Sequence, residues 1–140
     1  MITVRKQDLV NINDVLHLYQ AVGWTNYTHQ PQMLEQALSH SLAIYLALDG
    51  EAIVGLVRLV GDGFSSVFVQ DLIVLPSYQR QGIGSALMKE ALRDFKDAYR
   101  VQLATDQTEK NLEFYRSLGF ETLSTYDCTG MIWVERKKIK

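Results

Sequence analysis

The chain predicts a mixed α/β fold on a single sheet, and three observations carry that reading. Apolar residues switch between period two and helical spacing in the order β-α-α-β-β-β-α-β-α-β-β. The turn sequences Asp49-Gly50-Glu51 and Asp62-Gly63 separate three of the strands, which makes them an antiparallel meander. The last of those strands, Val67 to Leu75, ends at Pro76 and leads through a short turn into a helix opened by Gly82 and Gly84.

Each element follows from its own residues. Ile2 to Arg5 alternates as a strand, and Asp8 to Ala21 carries Leu9, Ile12, Val15, Leu16 and Tyr19 at helical spacing before Gly23 stops it. Pro31 suits the first turn of a second helix running to about His40. Ala43 to Leu48, Ala52 to Val60 and Phe64 to Leu75 form the meander. In the next segment Leu87, Met88, Ala91, Leu92 and Phe95 make an apolar stripe, while Lys89, Glu90, Arg93, Asp94, Lys96 and Asp97 fill the other side. That is an amphipathic helix with one face for the sheet. Val101 to Thr105 reads as a strand, Glu109 to Leu118 as a helix, and Glu121 to Tyr126 and Met131 to Glu135 as two closing strands.

With 140 residues and 47% hydrophobic content, the chain is expected to form one domain, residues 1–140, with a substantial core. A formal net charge of -2 offers no basic footprint for nucleic acid, and the tail Arg136, Lys137, Lys138 and Lys140 reads as a solvated terminus. No apolar run is long enough to span a bilayer and no secretory signal opens the chain, so a cytoplasmic location without membrane attachment is expected. Cys128 is the sole cysteine, and His17, His29 and His40 stand far apart, so neither an internal disulfide nor a metal site is expected.

The turn after Leu75 is where chemistry is expected. Glycines let a backbone turn tightly and approach a ligand, and the unpaired amides at a helix start attract negative charge. A dinucleotide fingerprint would need a third glycine where Leu87 stands, and a Walker loop would need Gly-Lys-Ser/Thr where Gly84 precedes Ser85 and Ala86. What remains, Gln79-Arg80-Gln81-Gly82-Ile83-Gly84, resembles the Gln/Arg-x-x-Gly-x-Gly/Ala loop that holds the coenzyme A pyrophosphate in GCN5-related N-acetyltransferases, the GNAT superfamily. A second match lies in Asn111 to Phe120, which is similar to that family's helix ending in a Tyr-x-x-x-Gly-Phe turn, with Gly119 as its C-cap. The resemblance covers the second half of the chain and is to a small, single-domain member.

That resemblance implies an acyl-CoA N-acyltransferase fold: a mixed, mostly antiparallel sheet with a V-shaped split between the fourth and fifth strands, flanked by four helices. Acetyl-CoA would be the cosubstrate, with no metal. By alignment, backbone groups of Leu72, Ile73 and Val74 would pair with its pantetheine arm, and the Leu72 N–H would bond the thioester carbonyl. A donor fixed there stabilises the charge that develops on this oxygen as an amine attacks. Gln79, Arg80, Gln81, Gly82, Ile83, Gly84 and Ser85 would hold the pyrophosphate, mainly through backbone N–H groups. A side chain at Gly82 or Gly84 should obstruct the ligand or strain the turn. Tyr115 matches the tyrosine that protonates the departing thiolate, with packing as a core tyrosine the competing account, and Asn111, one turn earlier, matches a coenzyme contact, with a helix-end surface amide as its alternative.

The general base is open. Some relatives carry a glutamate at about the position of Phe68, so the task would fall to Asp71, another acid or water. Asp71 stands with Gln70 in an otherwise apolar strand, where a structural hydrogen-bonding role is the competing account. Trp24, Tyr27 and His29 fall where the family recognises its acceptor, by cation–π attraction or merely as anchors of their loop. Cys128 has no neighbouring histidine or cation in sequence to activate it as a nucleophile. The expected activity is acetyl transfer to a primary amine, small-molecule or protein, by direct attack. The alternatives are a noncatalytic acyl-CoA-binding sensor and a nucleotide-binding protein using the same loop. The edges of the two closing strands would also permit a homodimer.

Overall fold

The computed structural model describes residues 1–134; the basic tail and Glu135 lie outside the described residues. Its backbone divides into two compact units, Met1–Leu103 and a second beginning at Ala104.

The first unit is a five-stranded sheet in the order β1-β2-β3-β4-β5. The strands are β1 (Ile2–Lys6), β2 (Ala43–Asp49), β3 (Ala52–Gly61), β4 (Val67–Val74) and β5 (Val101–Leu103). The first four pair antiparallel, and β5 runs parallel to β4. On one face lie α1 (Ile12–Ala21), α2 (Thr25–Thr28) and α3 (Pro31–Ser39). Their Val15, Leu18, Tyr19, Tyr27, Leu34 and Leu38 join Ile44, Leu46, Leu48, Leu56 and Ile73 in one buried cluster. The other face takes α4 (Ile83–Asp94), which buries Ile83, Leu87, Met88 and Ala91. Gly55 lets that helix lie close, since a Cβ there would meet the Ile73 carbonyl at 3.1 Å and Leu87 at 3.2 Å.

Two boundaries in this unit differ from the sequence reading. The first helix starts at Ile12 rather than Asp8, because the Asn11 side chain caps it by accepting the Asn13 N–H at 2.9 Å. The aromatic segment after Gly23 is itself one helical turn, α2, giving three helices on this face instead of two.

In the second unit, α5 (Glu109–Ser117) is capped by the Thr108 hydroxyl, which accepts the Asn111 N–H at 3.1 Å. It ends at Gly119, whose φ of 97° closes the helix while the Phe120 N–H returns to the Tyr115 carbonyl at 3.0 Å. The expected strand Glu121–Tyr126 is instead a 3-10 turn, Leu123–Tyr126. The Thr122 hydroxyl bonds those of Ser124 and Thr125 at 3.1 and 3.2 Å, a local pattern that competes with an extended ladder. Met131 to Val134 also pair with no strand among the described residues; β propensity forms a strand only where a neighbour exists to pack against.

Candidate active site

β4 is the strand that prepares the site. The Val67 N–H donates to the Arg100 carbonyl at 2.9 Å, so Val67 faces β5. Backbone groups alternate sides along a strand, which by itself would turn those of Leu72 and Val74 towards β3. The register forbids this. Leu59 pairs with Val69, yet its neighbour Arg58 pairs with Asp71, leaving Gln70 as an inserted residue. Such a bulge reverses the alternation beyond it. The Leu75 N–H accordingly donates to the Val54 carbonyl of β3 at 2.9 Å, which places Ile73 on the β3 side and aims Leu72 and Val74 away from it.

On that far side β5 pairs only with Val67, Phe68 and Val69. The split between the fourth and fifth strands therefore opens where the bulge has turned the Leu72 amide outward. Backbone groups that no neighbouring strand pairs are free to bond a ligand, so an extended one with its own carbonyls and amides suits this edge. The sequence reading placed Leu72, Ile73 and Val74 together in this role; Leu72 and Val74 face the open edge and Ile73 faces β3. The Val74 carbonyl already accepts from the Gln79 side-chain amide at 3.1 Å, which ties the loop to the strand it leaves.

The loop continues as a 3-10 turn, Pro76–Tyr78, whose Tyr78 hydroxyl donates to Asp49 at 2.7 Å and anchors it to the β2–β3 hairpin. Arg80 has φ 65° and Gly82 has φ 79°, two left-handed residues within three positions. Such a backbone gathers successive N–H groups into a concave anion site. The helical ladder of α4 begins with the Ala86 N–H on the Gly82 carbonyl at 3.0 Å. Among the described residues, no acceptor takes the backbone N–H of Arg80, Gln81, Gly82, Ile83, Gly84 or Ser85. Those six amides and the positive end of the α4 dipole make one electropositive mouth.

The two glycines do different work. At Gly82 the backbone is left-handed, while a Cβ would meet nothing within 4 Å, so the need for glycine there is conformational. Gly82→Ala is expected to cost about 1–2 kcal/mol of stability, measured by chemical denaturation. Gly84 is the second residue of α4 and its φ is not positive, so its backbone conformation does not call for glycine.

Asp71 is buried among donors. Its Oδ2 accepts the Arg58 Nε–H at 2.7 Å and the Tyr19 hydroxyl at 2.8 Å, and its Oδ1 accepts the Tyr27 hydroxyl at 2.9 Å. The Arg58 Nη2 also donates to the Tyr27 hydroxyl at 3.1 Å, and its Nη1 to Ser41 at 3.2 Å. Among the described residues no buried side-chain polar atom lacks a partner. Burial opposes the Arg58 charge, but the adjacent carboxylate outweighs it and raises the guanidinium's pKa. Burial first, and then the Asp71 charge, push the Tyr19 and Tyr27 phenols up, so both remain donors.

Tyr27 thus belongs to this network. Trp24 packs beside it, with ring centroids 6.1 Å from Tyr19 and 6.2 Å from Tyr27, whereas His29 is exposed at the end of α2. Of the three, Trp24 and Tyr27 are in ring contact. Arg58 and Tyr19 escaped the sequence reading, although a lone arginine within the apolar run Ile53 to Val60 mirrors the lone aspartate in β4.

In the second unit, Tyr115 is half-buried between Phe114 and Phe120, with centroids at 4.9 and 5.9 Å in edge-to-face contact. Burial pushes its phenol above the ordinary value. Asn111, on the same helix face, uses its side-chain amide to donate to the Asp106 carbonyl at 3.3 Å. Cys128 is exposed. Among the described residues no group of three or more His, Cys, Asp or Glu could hold a metal ion, and no helix is long and apolar enough to cross a membrane.

The chain is similar in sequence and fold to known proteins. A family model described as an acetyltransferase (GNAT) domain matches residues 40–122. A GNAT-family acetyltransferase from Streptococcus pneumoniae TIGR4 is 77% identical, with a TM-score of 0.91 over 98% of this chain and 100% of that one. GCN5-related N-acetyltransferase 1, chloroplastic, of Arabidopsis thaliana is 29% identical over 97% of this chain and 68% of its own length. Histone acetyltransferase TAP1 of Glycine max is 34% identical over 89% of this chain, which spans only 57% of that relative. The family model covers more than half of the chain, including β4, the loop, α4 and Tyr115, and on that match the chain belongs to the GNAT family of acetyl-CoA-dependent acetyltransferases.

Proposed function

We propose that this chain transfers the acetyl group of acetyl-CoA to a primary amine by direct attack, without a covalent enzyme intermediate. The observation that supports this most is the run of unpaired amides from Arg80 to Ser85, continuous through Gln79 with the open edge of β4. The spacing suits a ligand with a pyrophosphate at one end and amide groups along an arm. The Leu72 N–H would meet the thioester carbonyl and strengthen its hold as negative charge develops there.

Both oxygens of Asp71 are engaged by three donors, so we assign it to structure and leave removal of the ammonium proton to water. Tyr115 would return a proton to the departing thiolate. Burial favours its neutral form, and a raised pKa extends the protonated, acid-competent range upward in pH. The wild-type rate is therefore expected to hold from neutrality to about pH 10, the ordinary phenol pKa, with no alkaline loss attributable to this acid. Tyr115→Phe is expected to lower kcat by about a hundredfold while leaving acetyl-CoA affinity unchanged, as read by steady-state kinetics and calorimetry.

The test of the function itself is incubation with acetyl-CoA and a panel of small and peptide amines, followed by mass spectrometry. A gain of one acetyl group on an amine supports the transferase. Tight acetyl-CoA binding with no product across the panel favours the acyl-CoA sensor.

We also propose a single functional domain over residues 1–140, located in the cytoplasm on the ground of composition. Since the Arabidopsis relative named above is chloroplastic, cell fractionation is the test. A homodimer is supported by exposed Met131, Ile132 and Trp133, although the closing strands expected to pair are absent among the described residues; light scattering tests it.

A further inference from the structure

The network around Asp71 is buried, fully paired and takes no part in proton transfer, yet it sits one residue from the amide that would hold the thioester. We propose that the Asp71–Arg58 pair, braced by Tyr19 and Tyr27, is a positioning element that holds the β4 bulge and thereby aims the Leu72 N–H at the thioester carbonyl. This rests on the acetyl-CoA reading of the open edge.

The bulge decides two things together. It places Asp71 opposite Arg58 on the face covered by α1, α2 and α3, and it turns the Leu72 amide to the open side of β4. Removing the inserted residue from the ladder would move both. A one-residue slip sends every later side chain to the opposite face, so the Asp71 carboxylate would point into the apolar layer of Leu87 and Met88. It would lose Arg58 and both tyrosines, and an unpaired carboxylate in such surroundings is strongly disfavoured. The same slip would turn the Leu72 N–H into the β3 ladder.

The bracing comes from three helical segments. Tyr19 belongs to α1 and Tyr27 to α2, while Arg58 reaches Ser41, just beyond α3, whose hydroxyl donates to the Ala37 carbonyl at 2.7 Å. The pair is cross-strand, with Arg58 the registered partner of Asp71, so its shortest contact spans the bulge. Tyr19, Tyr27 and Arg58 are therefore positioning residues, none of which needs to touch the acetyl group.

The test compares calorimetric affinities for acetyl-CoA and for the ethyl thioether of coenzyme A, in which a methylene replaces the carbonyl. Their ratio reads the Leu72 hydrogen bond without any acceptor amine, and a purely structural network would leave it unchanged. Wild type is expected to favour acetyl-CoA by about fivefold, the worth of one such bond. The double variant Arg58→Met/Asp71→Leu, which removes both charges together, is expected to give a ratio near one, with its affinity for coenzyme A itself also lowered because Val74 turns from the open edge with Leu72. Tyr27→Phe keeps the ring and removes one bond, and is expected to lower the ratio at least twofold; it decides the matter if the double variant does not fold. Folded variants that retain the wild-type ratio would overturn the inference. So would a wild-type ratio of one, with coenzyme A binding intact. Absence of coenzyme A binding by wild type would instead overturn the acetyl-CoA reading, and this inference with it.

Discussion

Gly84→Glu is expected to abolish practical acetyl-CoA binding while leaving the unliganded protein as stable as wild type or slightly more so. The two effects have opposite signs because one residue serves two environments. As the second residue of α4, Gly84 sits where an acidic side chain complements the helix dipole and where almost any residue has a higher helix propensity. The same carboxylate would stand in the mouth formed by the amides of Arg80 to Ser85. A like charge about 4 Å from a pyrophosphate oxygen costs about 4 kcal/mol at an effective dielectric constant of 20, close to a thousandfold in affinity before salt screening. Calorimetry with a parallel thermal melt reads both. A melting temperature at or above wild type with binding weakened at least a hundredfold is the expected pair of results. Equal loss of stability and binding would mean that the glycine serves the fold.

Asp71→Asn should do the reverse and damage the fold first. The Arg58 and Asp71 side chains are only 4% and 2% exposed, and removing one charge leaves the other buried without its counter-ion. Breaking such a pair typically costs about 3–5 kcal/mol, a large share of the roughly 5–15 kcal/mol by which a domain is stable. For a chain of this size the melting temperature should fall by about 10–20 °C. Replacing both charges together should be far milder, because the buried pair repays little more than its own desolvation. Chemical denaturation of the single and double variants measures the difference. A loss below about 1 kcal/mol for Asp71→Asn would show that water reaches the pair.

The parts of the fold that the sequence made legible are those decided locally. Pro31, Asp49-Gly50 and Gly119 mark ends and turns by their own chemistry, and the apolar stripe of α4 shows its face by spacing alone. The turn from β4 into α4 was legible for the same reason, since its glycines and the helix start are adjacent in sequence. The strand expected at Glu121 to Tyr126 is absent because the hydroxyls of Thr122, Ser124 and Thr125 close a local turn there, which residue type alone does not reveal.

The Asp71 network needed the structure because it depends on register. Asp71 stood out as a charge in an apolar strand, but nothing local says that Arg58 is its partner, that Gln70 is inserted between two ladder pairs, or that Tyr19 and Tyr27 fold over the same carboxylate. Tyr27 shows the consequence. Its place in an aromatic loop pointed to acceptor binding, whereas its hydroxyl is committed to Asp71 and Arg58.

The most direct test of the central claim is a nitrogen-edited NMR titration of the chain with acetyl-CoA, followed amide by amide. The account predicts that the largest, saturable shifts fall on Arg80 to Ser85 and on Leu72, with Ile73, whose backbone faces β3, moving less. Saturable binding that leaves those amides unmoved and shifts others would contradict it.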